Sequence, residues 1–213
     1  MNSNDYFEME DCPSICMMSD YEYDGILAYL QWQGISFEKK DILSIGCGNG
    51  ILEKKIMEKF DVGRFVLTDA SEKLLKKAAF NCPHAEFFQF DCNKIKENNI
   101  LGKQKFDIIY SVGVMQYLTD KVIKTLNSTM CKLLNKNGII YHASIPDYRR
   151  RWLHRLDRAF IWHDYKRALP KYDFVDSYSR WIKPISFESN EYKTVYVTPS
   201  FRPERFDVII KNE

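Results

Sequence analysis

Short apolar runs alternate with amphipathic segments through the middle of the chain. Five runs have the β-branched and aromatic composition of buried strands: residues 41–46, 63–69, 85–91, 106–111 and 138–144. Apolar residues at helical spacing predict four helices before or between them: residues 23–32, 50–60, 72–80 and 121–134. This alternation predicts a doubly wound, Rossmann-like α/β fold in which the sheet is mostly parallel.

The alternation ends after Pro146. Residues 147–184 are rich in aromatic and basic side chains, and a helix is predicted from about residue 149 to 169. Two more strands, 192–198 and 205–210, are separated by a short proline-containing turn, so we expect them to pair antiparallel at the edge of the sheet. The chain is therefore expected to form a seven-stranded sheet with an antiparallel edge strand and a helical insertion after the fifth strand.

One globular domain made of successive segments is the predicted organisation. The segments are an N-terminal helical segment or lid (1–40), a Rossmann-like core (41–145), an aromatic and basic insertion (146–190) and the last two strands (191–213).

The stretch Asp41-Ile-Leu-Ser-Ile-Gly-Cys-Gly-Asn-Gly50 joins the first predicted strand to its helix. Glycine lets the backbone take positive φ values and approach a ligand closely, and the N-terminus of the following helix directs N–H groups toward that ligand. Polar residues end three later strands: Asp69, Asp91 and Ser111. Because parallel strands end at one edge of the sheet, these residues are expected to converge on one crevice.

A dinucleotide site and a purely structural turn are the alternative interpretations of the glycine stretch. In the dinucleotide fingerprint the third glycine comes three residues after the second, whereas Gly50 follows Gly48 by two, so this alternative is disfavoured. The acids at the ends of the later strands favour a ligand site over a structural turn.

Three motifs together resemble the class I S-adenosylmethionine-dependent methyltransferases. Residues 42–50 resemble the family's first motif, 66–71 the end of its second strand, and 106–118 its fourth strand and the loop after it. The resemblance implies S-adenosylmethionine as cofactor and S-adenosylhomocysteine as product. No metal is expected, because the six cysteines form no Cys-x-x-Cys pair. The resemblance also implies a role for each matching residue: Gly46, Cys47 and Gly48 lie against the amino-acid part of the cofactor, Asp69 at the ribose, Asp91 and Cys92 at the adenine, and Ser111 and Val112 near the methionine part. Ala70 is a further candidate cofactor-binding residue.

The match to the family is incomplete at two positions, and two of the implied roles have alternatives. Many relatives carry an acid where this chain has Ser44, and a histidine where it has Tyr117. Asp69 could instead contribute to the cap of the next helix, and Asp91 could form an Asx turn.

The methyl acceptor is expected to bind beneath the insertion and the first 20 residues, which would close over it as a lid. The insertion is rich in arginine, which recognises phosphate or carboxylate groups in a bidentate manner, although a run of charges is also typical of a solvated face. The candidate acceptor-binding residues are Gln116, Tyr117, Arg149 and Arg150. The candidate catalytic bases are His154, His163 and Asp147. His142, inside the fifth strand, is interpreted as a core residue.

Composition narrows the function further. The net charge of +2 gives no global signature of a nucleic-acid-binding protein. No signal peptide or membrane-spanning run is predicted, and the six cysteines form no Cys-x-x-Cys pair, so a cytoplasmic protein with reduced thiols is expected. We therefore predict O- or N-methylation of a small polar or anionic acceptor, such as a sugar or a nucleotide-linked metabolite. The alternatives are a methyltransferase-like domain that binds cofactor or a partner without catalysis, and an RNA methyltransferase. The oligomeric state is left open.

Overall fold

The computed structural model describes residues 20–95, 102, 104–153, 156, 180–190, 192, 194–200 and 202–211. The first 19 residues, predicted to form part of a lid, lie outside the described residues. So do His154, His163 and most of the insertion.

Seven strands and four α-helices make up the described fold. The strands are β1 (Ile42–Ile45), β2 (Phe65–Asp69), β3 (Glu86–Gln89), β4 (Phe106–Val112), β5 (Leu134–Pro146), β6 (Thr194–Pro199) and β7 (Arg205–Lys211). The helices are α1 (Asp20–Trp32), α2 (Ile51–Lys59), α3 (Glu72–Asn81) and α4 (Asp120–Cys131). Short 3₁₀ turns follow several strands: Cys92–Lys94, Met115–Tyr117 and Tyr148–Arg150, with a fourth at Pro184–Phe187.

The strands form one sheet in the order β3-β2-β1-β4-β5-β7-β6. Neighbours from β3 to β5 pair in parallel, whereas β7 pairs antiparallel with both β5 and β6. This confirms the predicted doubly wound, mostly parallel sheet and the antiparallel pairing of the last two strands at its edge. The antiparallel strand β7 lies inside β6, which is the outermost strand. The strand order reverses between β1 and β4, where such a fold binds its ligand at the carboxyl ends of the strands.

The boundary between α4 and β5 differs from the prediction. The helix ends at Cys131 and β5 begins at Leu134, so residues 135–138, predicted to stop the helix, belong to the strand. Their turn-like composition is accommodated by an irregularity in the pairing with β4: Phe106 pairs with Leu134, but Ile108 pairs with Ile139. An irregular stretch of strand of this kind can include a residue with a positive φ, and Asn137 has a φ of 63°.

Side chains alternate between the two faces of the sheet, and each face carries its own core. On β1, Leu43 and Ile45 face the cluster that includes α4, whereas Ile42 faces the cluster formed with α1, α2 and α3. Ser44, two residues after Ile42, therefore points toward α2. Helices on both faces explain why the central strands read as continuous apolar runs.

The two ends of the insertion lie side by side next to β5. Tyr148 N donates to Ile182 O at 2.9 Å, and Ile182 N donates to Pro146 O at 2.9 Å. The described part of the predicted helix comprises the turn Tyr148–Arg150 and helical residues at 151–153 and 156. Within the described part of the chain, no helix combines the length and apolar character needed to cross a membrane.

Candidate functional site

The glycine loop after β1 is held between β2 and the segment that follows β4. Gly46 N and Cys47 N both donate to Thr68 O, at 2.7 and 2.9 Å, which fixes the loop to β2. Gly46 has φ of 70°, and a Cβ atom there would lie 2.5 Å from Val114 Cγ2. Only glycine satisfies both the backbone conformation and the lack of space at this position. The loop therefore has a defined shape with its backbone amides close to the carboxyl edge of the sheet.

Asp69 lies directly against this loop. One carboxylate oxygen accepts a hydrogen bond from Gly48 N at 2.9 Å, and the other accepts from Ser71 N at 2.9 Å. The cap of α3 is made by Ser71 itself, whose hydroxyl accepts from Leu74 N at 3.2 Å. Asp69 is 8% exposed, so its negative charge lies beside the glycine loop at the end of β2, where the sequence predicted it. Ala70 follows, and its carbonyl accepts from the Gln89 amide.

Asp91 and Cys92 lie at the neighbouring strand end. Phe90 N donates to Asp69 O at 2.9 Å, which ties the end of β3 to the end of β2. Asp91 forms the Asx turn that the sequence left open, because its Oδ1 accepts from Asn93 N at 2.9 Å. Burial, together with the charges of Asp91 and Asp69, raises the pKa of the Cys92 thiol to about 12. The carboxylates of Asp69 and Asp91 therefore lie at the same edge of the sheet.

The four described cysteines (Cys47, Cys82, Cys92 and Cys131) are buried free thiols, as the sequence predicted for this part of the chain. Burial is the main reason that the pKa of each is raised, so all four are neutral at physiological pH.

Ser111 and His142 belong to a buried polar network. Ser111 Oγ lies 2.8 Å from His142 Nδ1, and His142 Nε2 lies 2.7 Å from Asn127 Oδ1. With the Asn127 oxygen as acceptor, Nε2 carries the ring proton and Ser111 donates to Nδ1. Burial lowers the pKa of His142 to about 3, so the ring is neutral, which confirms its interpretation as a core residue. The Ser111 side chain is therefore engaged inside the sheet, and its predicted contact with the cofactor would involve its backbone or the adjoining Val112.

A second group of polar residues gathers beyond the ends of β4 and β5. Gln116, only 6% exposed, accepts from Arg205 Nη1 through its side-chain oxygen at 3.2 Å and from Arg180 N through its carbonyl at 2.9 Å. Arg205 Nη1 also donates to Ser144 O at 2.6 Å. Tyr117 is half-buried next to Gln116. The predicted acceptor residues Gln116 and Tyr117 thus lie beside an arginine from β7.

Asp147, predicted as a candidate base, is instead engaged in an ion pair. Arg149 donates to both of its carboxylate oxygens, with Nη2 2.8 Å from Oδ2 and Nε 3.0 Å from Oδ1. Arg150 Nε lies 3.8 Å from Oδ2. The Asp147 hydrogen bond raises the pKa of Arg149. With Asp147 fully buried and both oxygens occupied, the geometry favours a structural role that positions Arg149 and Arg150 over its predicted role as a base.

The sequence analysis missed three residues at this edge of the sheet. Arg205 and Arg180 reach Gln116 from positions far along the chain, which no local pattern indicates. Glu53 lies beneath the glycine loop at 2% exposure, and its Oε1 accepts from Ser44 Oγ at 2.7 Å and Tyr110 OH at 2.9 Å. Burial raises the pKa of Glu53. Its signal in the sequence was an acid at the third position of the helix that follows the glycines.

The described residues suit a ligand that has hydroxyl donors and positive charge. The backbone amides of the glycine loop lie close to the carboxyl edge of the sheet, and a carboxylate beside the loop is the acceptor that a ribose diol needs. Residues 43–140 match the model of a methyltransferase domain family. Over residues 43–140, which include the glycine loop and Asp69, the chain is therefore similar to a methyltransferase domain family.

Relatives in sequence, and proteins with similar solved structures, are named as methyltransferases. A malonyl-[acyl-carrier protein] O-methyltransferase of Halalkalibacterium halodurans is 30% identical over 114 residues, which are 52% of this chain and 41% of the relative. A ubiquinone biosynthesis O-methyltransferase of Pasteurella multocida is 23% identical over 74% of this chain and 66% of its own length. The chain spans about two fifths of the length of the malonyl-[acyl-carrier protein] relative.

The fold of the chain resembles solved structures along almost its whole length. The N-methyltransferase NodS of Bradyrhizobium japonicum, crystallised with S-adenosylhomocysteine, has a TM-score of 0.61 at 15% identity, covering 98% of this chain and 95% of NodS. At that identity the likeness shows the fold alone. The individual cofactor and acceptor roles given to residues of this chain stay predictions.

Proposed function

We propose that this protein is a methyltransferase that transfers the methyl group of S-adenosylmethionine to an oxygen atom of a small acceptor, which is polar or anionic. The observation that carries the proposal is the hydrogen bond between Gly48 N and the Asp69 carboxylate, which joins the glycine loop to the acid at the end of β2. The glycine loop of this pair follows β1, one of the two strands between which the strand order reverses, as expected of a ligand site in such a sheet.

The residues around the loop divide among the parts of the cofactor. The backbone of Gly46, Cys47 and Gly48 would hold the amino-acid part, and Asp69 would accept from the ribose hydroxyls. Asp91, beside Cys92, would meet the adenine amino group. When bound, S-adenosylmethionine supplies a methyl group on a sulfonium, which is already a good leaving group. The protein's contribution is then mainly to bind and align the two reactants.

Basic side chains at the carboxyl ends of β4 and β5 support an anionic acceptor. The side chains of Arg149 and Arg150 are 59% and 42% exposed, and Asp147 orients both. Arg205 lies deeper, beside Gln116. Relatives are named for acting on malonyl-[acyl-carrier protein] and trans-aconitate, both of which carry carboxylates. We propose that these arginines orient an acid group of the acceptor.

The nature of the acceptor decides whether the protein must supply a base. A carboxylate is already ionised at neutral pH and needs none. A hydroxyl acceptor would need a base, for which His154 and His163 are the candidates, because Asp147 is engaged by Arg149.

Methyl transfer can be measured directly. The purified protein would be incubated with methyl-labelled S-adenosylmethionine and separate pools of carboxylic acids, phenols, amines and RNA. We expect label in the first or second pool and a large loss with Asp69→Ala. Cofactor binding without transfer to any pool would favour the non-catalytic alternative, and label in RNA alone would favour an RNA methyltransferase.

A further inference from the structure

A buried acid lies beneath the glycine loop, but it comes from a helix and not from β1. Ser44 precedes the first glycine by two residues and points toward α2, because it shares the face of Ile42. It pairs in register with Tyr110 on β4. Glu53, in the first turn of α2, reaches both: its Oε1 accepts from Ser44 Oγ at 2.7 Å and from Tyr110 OH at 2.9 Å. The carboxylate of Glu53 therefore lies at the side chain of Ser44.

The second oxygen of Glu53 is unused. Among the described residues, Glu53 Oε2 is buried and has no hydrogen-bond partner. An unsatisfied buried oxygen on a carboxylate is costly, and such groups usually have a ligand, a water or an ion as partner. Ser44 and Tyr110 both donate to Oε1, so Oε2 is available to a further donor.

The surroundings of Glu53 call for a positively charged donor. The pKa of Glu53 is raised by burial and by the charge of Asp69, and it is lowered by hydrogen bonds from three groups: Ser44, the backbone of Glu53 and Tyr110. None of them is a cation. Glu53 and Asp69 in turn both help burial raise the pKa of Cys47, which lies within the glycine loop. Two carboxyl groups thus lie around the loop, and a cation arriving there would favour their ionised forms and be stabilised by them.

We propose that Glu53 binds the α-ammonium group of the cofactor beneath the glycine loop, directly or through one water molecule. Glu53 would thus take the place of the acid that many relatives carry on β1 at the position of Ser44. The inference rests on the proposed function, since it takes S-adenosylmethionine as the ligand of the loop. Ser44 and Tyr110 are then positioning residues, because they hold the Glu53 carboxylate under the loop.

Two ligands separate this role from a structural one. S-adenosylhomocysteine carries the α-ammonium group, whereas methylthioadenosine has the same nucleoside thioether but lacks the amino-acid part. Dissociation constants would be measured by calorimetry for wild type, Glu53→Gln and Glu58→Gln. Glu58 is a matched control, because it is on the same helix with a side chain that is 61% exposed. Glutamine retains the shape and an acceptor for Ser44 and Tyr110 while removing the charge.

We expect Glu53→Gln to raise the dissociation constant of S-adenosylhomocysteine about tenfold and to change that of methylthioadenosine by less than about twofold. Glu58→Gln should alter neither. Restoring an acid on β1, in Ser44→Asp combined with Glu53→Gln, should recover much of the lost affinity. An equal rise in both dissociation constants, or no rise in either, would overturn the inference.

The outcomes also separate this inference from the proposed function. If wild type bound neither ligand, the proposed function itself would fail. If wild type bound both and Glu53→Gln behaved like wild type, only the role of Glu53 would be wrong. If Glu53→Gln did not fold, Glu53→Asp would take its place, with a selective loss of S-adenosylhomocysteine expected and a parallel loss of both ligands contradicting the proposal.

Discussion

The buried ring of His142 makes a quantitative prediction about pH. Its Nδ1 lies 2.8 Å from Ser111 Oγ and its Nε2 lies 2.7 Å from Asn127 Oδ1, so the neutral ring is bonded on both sides. Burial lowers its pKa to about 3 in the folded protein, whereas an unfolded histidine has a pKa of about 6.5. The unfolded state therefore binds the extra proton first as the pH falls, and stability is lost from pH 6.5 down toward pH 3.

The size of the effect follows from the two pKa values. Between pH 7 and pH 5, the free energy of unfolding should fall by about 2 kcal/mol because of this one residue. Urea denaturation at both pH values would measure the fall for wild type and for His142→Gln, which cannot titrate. Glu53 and Asp207, whose pKa values are raised by burial, act in both proteins and cancel in the comparison.

We expect the fall to be about 2 kcal/mol larger in wild type than in His142→Gln. Equal falls in the two proteins would refute the reasoning, since they would mean that the folded ring titrates as it does in the unfolded chain. Such a ring would have to be accessible to protons and could act as a base.

Three further predictions concern the loop and the acceptor side. Asp69→Asn should weaken S-adenosylhomocysteine by about tenfold in calorimetry, because the ribose would lose a charged acceptor; unchanged affinity would contradict the assignment of Asp69. Gly46→Ala should lower the free energy of unfolding by about 1–3 kcal/mol in urea denaturation, because its Cβ would lie 2.5 Å from Val114 Cγ2. An equally stable variant would contradict the close packing of Gly46 against Val114. Arg205→Gln should raise the acceptor KM by about tenfold and leave cofactor affinity within about twofold; an effect on the cofactor alone would contradict its place on the acceptor side.

The parts of the fold that could be predicted from the sequence are those that depend on residues close together along the chain. Strand β1, the glycine loop and α2 follow one another within residues 42–59, so their composition and spacing were enough. Asp69 could be placed in the crevice because strand ends converge in a parallel sheet. The turn-like residues 135–138 misled the prediction, because the same composition suits an irregular stretch of strand.

The interactions that were missed link residues distant along the chain. Arg205 meets Gln116 across 89 positions, and Tyr110 meets Glu53 across 57, so no periodicity reveals either pair. Asp147 is a different case: its partner Arg149 is two residues away, and the ion pair could have been anticipated from an acid followed by a run of arginines.

The most direct test of the central claim is the binding of S-adenosylhomocysteine to the purified protein, measured by calorimetry and compared with NAD⁺. The crevice formed by the glycine loop and Asp69 predicts one saturable site for S-adenosylhomocysteine and none for NAD⁺. At one hundred times its dissociation constant the ligand should stabilise the folded state by about 2.7 kcal/mol, visible as a rise in Tm. Absence of both the binding heat and the rise in Tm would mean that the loop is structural, and the assignment of the crevice to S-adenosylmethionine would be wrong.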